Sequence, residues 1–431
     1  MQRDPLLRVR ERFERYGDIY RIGFLGRERF VIRHPEHLQQ VLVEQATCFE
    51  KPEQGPAARQ LQRFLGRGLL TSNGELWRRQ RRLVQPAFQR ERLAAYAELI
   101  VEHSERVVDG LRDQQQLDLS ELMMELTLRI VNATLFGRDP TGETARVASA
   151  MRTFRETFDG LGAVLPRWLP TPGSVRAERA LRDMDRLIYG LLDADHAPGR
   201  SDLLARLAGA VDAEGGGSMD RRQLRDELLT LMLAGHETTS HALSWTFHLL
   251  SQHPDVEARL HQELAQVLGG RAPTWADLPA LRYCEQVLSE ALRLYPPAYV
   301  ILRTCREPAR IGPYAVPVGT DIVLWIYHTH HDGRWHQEPE RFDPERFSAA
   351  RRKQLPACAY LPFGAGTRTC IGKNFALIEA LLVLASLARR FSFRTLREAH
   401  VQRDAAVTLA PRGLCVRARA RSIQPALQPN A

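Results

Sequence analysis

Cys370 lies in Phe363-Gly364-Ala-Gly366-Thr-Arg368-Thr-Cys370-Ile-Gly372, a glycine-rich turn that runs directly into an apolar helical stretch from Lys373. A thiol there meets backbone N–H groups and the positive end of a helix dipole, and both favour the thiolate. Such a thiolate suits a strong, soft axial metal ligand, against the plain alternative of a buried cysteine beside a turn. A second set is Ala234-Gly235-His236-Glu237-Thr238-Thr239, polar residues that interrupt an otherwise apolar helical pattern. An acid beside an alcohol can relay protons. The plain alternative has Thr238 bonding a carbonyl one turn back. Glu290 and Arg293 form a third set, three apart on one helix face, ordinarily a pair worth about 0.2–0.5 kcal/mol.

Three near-matches lead elsewhere and fail. Gly366 to Gly372 followed by Lys373-Asn374 resembles a phosphate loop but has five residues between its glycines and no Ser or Thr after the lysine. His236 and His241 are five apart, on different faces of a helix, which argues against a zinc peptidase. His328, His330, His331 and His336, beside Asp332 and Trp335, read as structural histidines of a surface loop, so no metal is assigned to them.

Phe363, Gly366, Arg368, Cys370 and Gly372 together spell F-x-x-G-x-R-x-C-x-G. With them stand A-G-x-[DE]-T-[TS] at residues 234–239, Glu290 with Arg293 and Arg346, and the W-x-x-x-R of Trp77 and Arg81. On these motifs, in this order, the chain resembles a cytochrome P-450, a haem-thiolate monooxygenase of the soluble bacterial type. The resemblance implies haem b (iron protoporphyrin IX) with Cys370 as axial iron ligand and Phe363 packed on the ligand side. Gly364, Gly366 and Gly372 are implied to permit tight backbone paths close to the porphyrin. Trp77, Arg81, Arg303 and Arg368 are implied as haem-propionate partners. Ala234 and Gly235 are implied to leave room for dioxygen, Thr238 to position a water there, and Glu237 to relay protons from solvent. Glu290, Arg293 and Arg346 would support the segment leading into the cysteine turn.

The substrate implied is apolar. Residues 61–75, 154–169 and 298–302 are expected to frame its pocket, with Leu61, Phe64, Leu65, Leu70, Phe158, Val164, Leu165, Val300 and Ile301 among them. The resemblance points to hydroxylation or epoxidation of a fatty acid, terpenoid or carotenoid with dioxygen. No reductase features follow the haem-domain motifs, so electrons are expected from a ferredoxin or flavodoxin with its reductase, docking by way of Arg78, Arg79, Arg82, Arg351, Arg352 and Lys353. Two alternatives stay open: a haem-thiolate peroxygenase or isomerase, which needs no external electrons, and a non-catalytic haem-based sensor.

These groups must be positioned by helices. From Pro35 to about Gly270 apolar residues recur at three- and four-residue spacing, after a β-hairpin with Gly26 in its turn. Residues 220–251 predict one long helix, about 45 Å, capped by Asp220 and Gln223. Residues 211–219 read as a flexible polar connector and 160–174 as an apolar loop. Helices are expected at 278–295 and 373–391, short strands at 299–323, and a strand at 407–416. The fold expected is mainly α with a minor β portion, a single haem domain over residues 1–421 with a loose tail at 422–431. Six scattered cysteines exclude a disulfide scaffold, and the charged N-terminus lacks the apolar core of a signal or transmembrane anchor. A cytoplasmic monomer is expected. The net charge of +9 comes with 60 Lys+Arg, almost all arginine, but no nucleic-acid reading motif, so no nucleic-acid partner is expected.

Overall fold

Helical periodicity yields helices over most of the chain, and the β-branched, turn-bounded segments yield small sheets. The computed structural model describes residues 4–24, 27–137, 150, 153, 172–193 and 202–421. The expected mainly α architecture with a minor β portion is the one observed. Among the described residues no helix is long and apolar enough to cross a membrane.

The chain forms two compact units. One takes residues up to Glu50, Ile100–Met123 and everything from Thr238 onward; the other takes Lys51–Leu99 and Met124–Glu237. In the first, a five-stranded sheet runs in the order Ile19–Phe24, Arg27–Ile32, Asp321–Leu324, Ile301–Cys305, Phe49–Glu50. Only the pairing of Arg27–Ile32 with Asp321–Leu324 is parallel. Its buried face carries Phe30, Ile32, Cys305, Ile322 and Leu324 onto Leu38, Val41 and Leu361. Leu361 belongs to the approach to the cysteine turn, so this core is what holds that approach.

The long helix is Arg221–Gln252, started by Asp220, whose carboxylate accepts the Gln223 N–H at 2.7 Å. Two of its buried hydroxyls are satisfied within the helix: Ser244 donates to the Ser240 carbonyl and Thr246 to that of Ala242, each at 2.7 Å. Trp245 stacks on Tyr295 at 3.9 Å and donates its indole N–H to the Leu409 carbonyl at 3.0 Å. That bond ties the C-terminal hairpin to the first unit's helices.

Several boundaries differ from expectation for local reasons. The helix expected at 278–295 is Arg282–Leu294, because Pro279 confines Trp275–Ala280 to a 3-10 turn. The strand expected at 407–416 is two strands, Leu409–Arg412 and Cys415–Ala420. Gly413 separates them with φ +72, where a Cβ would lie 2.9 Å from the His400 carbonyl oxygen. Residues 211–219 are a closed turn and not a flexible connector: Val211 bridges to Ser218, and buried Asp212 receives Arg82 Nε and Nη2 at 3.0 and 2.9 Å. Within the segment read as a 160–174 loop, a helix already begins at Pro172; residues 160–171 lie outside the described residues, as do Gly26, 154–169 and 422–431.

Candidate active site

The cysteine turn is built by glycine geometry. Gly364 and Gly366 have φ +70 and +69, the left-handed region that side chains disfavour. A Cβ on Gly366 would overlap the Leu42 carbonyl oxygen, so the close approach this glycine permits is to the protein's own backbone. Gly372 has φ −86, which any residue adopts, and serves as the N-cap of Lys373–Arg390. The Cys370 N–H donates to the Phe363 carbonyl at 3.0 Å, closing the turn, and Thr369 caps it through the Gly366 carbonyl at 2.8 Å. Of the six cysteines, all described, Cys370 is the exposed one; burial pushes the Cys284, Cys305 and Cys358 thiols up. Replacing Gly366 by alanine is expected to prevent this turn from closing, read as loss of bound haem absorbance from the purified variant.

Along the long helix, Ala234 is exposed and Leu231, Gly235 and Thr238 are half-buried, while Leu233, His236, Glu237, Thr239 and Ser240 are buried. Positions 231, 234, 235 and 238 share one helical face. Ala234, Gly235 and Thr238 thus put small residues on the less buried face of this part of the helix. A Cβ on Gly235 would stand 3.1 Å from Val131. The His236 carbonyl accepts from the Thr127 hydroxyl at 3.0 Å.

Behind the cysteine turn lies a buried ionic knot. Glu290 and Arg293 are fully buried, joined by Nε and Nη2 at 2.7 and 2.8 Å. Arg293 also donates to the carbonyls of His330 and Pro339, both at 2.8 Å, and of Arg341 at 3.2 Å. Arg346 Nε reaches Glu290 at 3.3 Å, and the Asp343 N–H reaches it at 3.1 Å. The sequence alone left open an ordinary helix pair; tertiary structure makes it a hub for residues 330–346.

The histidines are also corrected. His328, His330 and His336 are buried, in and after the short helix Ile326–His330, and burial pushes all of them well down from the usual imidazole range. His330 Nε2 accepts the Leu361 N–H at 3.0 Å, so its Nδ1 carries the proton and donates to the Arg293 carbonyl at 3.2 Å. His330 therefore connects the ionic knot to the segment entering the cysteine turn. It was missed because a loop-like His-His-Asp-Gly run looks solvent-facing. Its replacement by leucine is expected to cost about 1–3 kcal/mol, from the orphaned buried N–H and carbonyl, measured by denaturant unfolding.

Glu379, on the cysteine helix, is fully buried, and burial raises its carboxyl to about 8, with Thr239 the polar side chain facing it. Burial raises Glu227 of the long helix likewise to about 8. Each acid keeps its proton in the fold through a range where the unfolded chain, at about 4.5, has released it. Their contribution is fully present below pH 4.5 and lost as pH rises toward 8, by up to about 1.4 kcal/mol per pH unit per group. Glu379→Gln is expected to remove one group's share of that slope in unfolding measurements across this window.

The remaining expected residues fall in both units. In one, Trp77 and Arg81 lie on Gly74–Val84, the Arg81 guanidinium 5.8 Å from the Trp77 ring centre. In the other, Arg303 is 6% exposed; its Nη1 donates to the Leu302 carbonyl, and burial, opposed by no carboxylate, brings it down to about 10. Arg368 is half-buried in the cysteine turn. A buried guanidinium with no counter-charge among the described residues is costly and suits an anionic group. Together with the exposed Cys370 of the same unit, it fits an anionic metalloporphyrin. Phe64 and Leu65 of the expected pocket are buried, Leu61, Leu70, Val300 and Ile301 half-buried, and Phe158, Val164 and Leu165 lie outside the described residues.

The cytochrome P450 family model matches residues 1–413. The chain belongs to the cytochrome P450 family. It is 38% identical to cyclooctatin synthase of Streptomyces melanosporofaciens over 88% of this chain and 83% of that protein. It is 36% identical to cyclooctat-9-en-7-ol 5-monooxygenase of the same organism, with the same coverage. Pentalenene oxygenase of Streptomyces avermitilis is 34% identical over 94% of this chain and 91% of that protein. As a P450 the chain is a haem-dependent monooxygenase, drawing on dioxygen, a substrate and electrons from a redox partner.

Proposed function

We propose that this P450 hydroxylates or epoxidises a terpenoid, with Cys370 as the thiolate that would hold the iron of haem b. The observation that carries the reading is Cys370, the one exposed cysteine, held by a closed glycine turn at the head of its helix. The names of the three relatives, each tied to a cyclic terpenoid, favour that class over fatty acids and carotenoids. Bound haem supplies dioxygen binding and oxygen-atom transfer. The protein's part is to hold the thiolate, leave room at Ala234 and Gly235, and move protons. Thr238 orients a water, and Glu237 passes protons to it from solvent. Arg81, Arg303 and Arg368 would neutralise the propionates, Trp77 would donate its indole N–H to one of them, and Phe363, Gly364 and Gly372 would shape the ligand side.

The same reading takes residues 1–421 as one haem domain with residues 422–431 as a tail, in a cytoplasmic monomer. It assigns electron delivery to an acidic ferredoxin or flavodoxin with its reductase. The arginines expected at that contact are engaged: Arg78 with Glu75, Arg79 and Arg82 with Asp212, Arg351 with Asp343, Arg352 with Glu285. The pairs of Arg78, Arg351 and Arg352 lie at the surface and are weak enough to be exchanged for a partner's carboxylates, whereas Arg79 and Arg82 are held by a buried one. Reduction by the partner should slow as salt rises, and a rate indifferent to salt would exclude charge steering.

The test of function is a spin-state titration with pentalenene and cyclooctat-9-en-7-ol, followed by turnover with ferredoxin, reductase and NADPH. An oxygenated terpenoid formed only with reductant supports the reading; turnover with peroxide alone would instead favour the peroxygenase. Thr238→Ala is expected to keep the titration but lower product formed per NADPH about tenfold or more.

A further inference from the structure

The loop 66–72, between the helices Pro56–Leu65 and Gly74–Val84, is gripped by two consecutive acids of the long helix. Asp226 accepts the Arg67 N–H at 2.8 Å, and Glu227 accepts the Leu69 N–H at 3.0 Å. The fit is close on the loop side. A Cβ on Gly66, at φ +63, would overlap the Asp226 carboxylate, and one on Gly68 would overlap the Thr230 hydroxyl and lie 2.7 Å from the Asp226 carbonyl oxygen. The loop is also braced within itself and onto the next helix. Thr71 donates to the Gly66 carbonyl at 2.8 Å, and Gln80 donates to that of Arg67 at 2.6 Å.

The two acids are not alike. Asp226 is paired with Arg225 at 2.8 Å, and Arg225 also holds Asp185 at 2.6 Å. Glu227 is buried without a cation, and its second oxygen and the Thr230 hydroxyl meet no partner among the described residues. A protonated carboxyl, the form burial favours here, is what such a place tolerates. An acid retained at that cost, with its one bond spent on a loop amide, has a positioning task.

We propose that Asp226 and Glu227 form a latch that holds loop 66–72 against the long helix and thereby sets how tightly the apolar substrate is retained. The inference rests on the reading of this loop as part of the substrate pocket. Both acids are positioning residues; neither touches the reacting atoms. Because Gln80 and Ser72 join the loop to the helix carrying Trp77 and Arg81, the latch also fixes where that helix starts.

The experiment measures amide hydrogen exchange of the peptide covering residues 66–72, and the dissociation constant of pentalenene by spin-state titration, in the haem-loaded protein. Glu227→Leu and Asp226→Ala should each speed exchange there about tenfold and weaken pentalenene about tenfold, raising KM while leaving kcat in place. Glu227→Gln keeps the acceptor and should match the wild type in both. Gly68→Ala removes neither acid but lifts the loop by collision, so it should reproduce the Leu and Ala variants even if one of those fails to fold. Wild-type exchange in Glu227→Leu, Asp226→Ala and Gly68→Ala would overturn the latch. Fast exchange with an unchanged pentalenene constant would overturn its role in substrate retention. The exchange readout needs no substrate, so a wild type that fails to bind pentalenene tells against the terpenoid assignment and not against the latch.

Discussion

Replacing Cys370 by alanine is expected to abolish monooxygenase turnover, by at least about a thousandfold. It should also abolish the strongly red-shifted Soret band of the reduced carbon monoxide complex. The physical basis is that no second thiol is available to take its place. Cys284 and Cys305 are buried, Cys48, Cys358 and Cys415 are half-buried on other elements, and Cys370 is the exposed one, in a turn closed at both ends. The substitution truncates an exposed residue, so the fold should survive, with circular dichroism and unfolding midpoint close to wild type. A folded, haem-loaded Cys370→Ala protein that kept the red-shifted band would show that another residue ligates the iron. Cys370→Ser should behave similarly, since a hydroxyl is a far weaker acid than a thiol and stays protonated at neutral pH.

The second large effect is on stability. Glu290→Ala is expected to destabilise the protein by about 3–5 kcal/mol, the range for removing one member of a buried ion pair. Arg293 is fully buried with two of its donors on Glu290, and Arg346 and the Asp343 N–H share the same carboxylate. Removing that carboxylate leaves two guanidinium groups in the interior without a counter-charge. The loss should travel along the carbonyls that Arg293 holds, through His330 to Leu361, and so into the cysteine turn. Haem retention should therefore fall together with the unfolding midpoint. Glu290→Gln should also be strongly destabilised, since it restores hydrogen-bond acceptance but not charge. A Glu290→Ala protein within about 1 kcal/mol of wild type, with full haem content, would contradict this account. The Glu290→Ala, Arg293→Ala double variant should be less destabilised than the sum of the two single changes, because the pair is lost once.

Much of this molecule is legible without coordinates. The cysteine turn, the polar break in the long helix and the order of the arginines were readable because each is a local pattern with a local cause. A glycine-rich turn must be followed by something it can cap, and a 30-residue apolar periodicity must be buried. The misreadings share a different cause. His330 looked exposed because its neighbours are polar, yet the contacts that bury it come from residues 31 and 37 positions away in the chain. The segment 211–219 looked flexible because it is glycine-rich, yet Asp212 is held by Arg82, 130 positions away. Gly366 looked as though it made room for a cofactor, whereas the group its missing Cβ spares is the carbonyl of Leu42.

By itself the amino-acid sequence determined the mainly helical class, the place of the long helix and the candidate ligand Cys370, because helix periodicity and turn chemistry act over a few residues. Only the tertiary structure decided which charged and polar groups are buried: Glu290 with two arginines, Glu379 in an apolar helix, Arg303 with no counter-charge among the described residues, Glu227 on the Leu69 amide. Their energies depend on how much water is removed from around them and which distant group replaces it, and neither quantity is written in the spacing of residues along a chain.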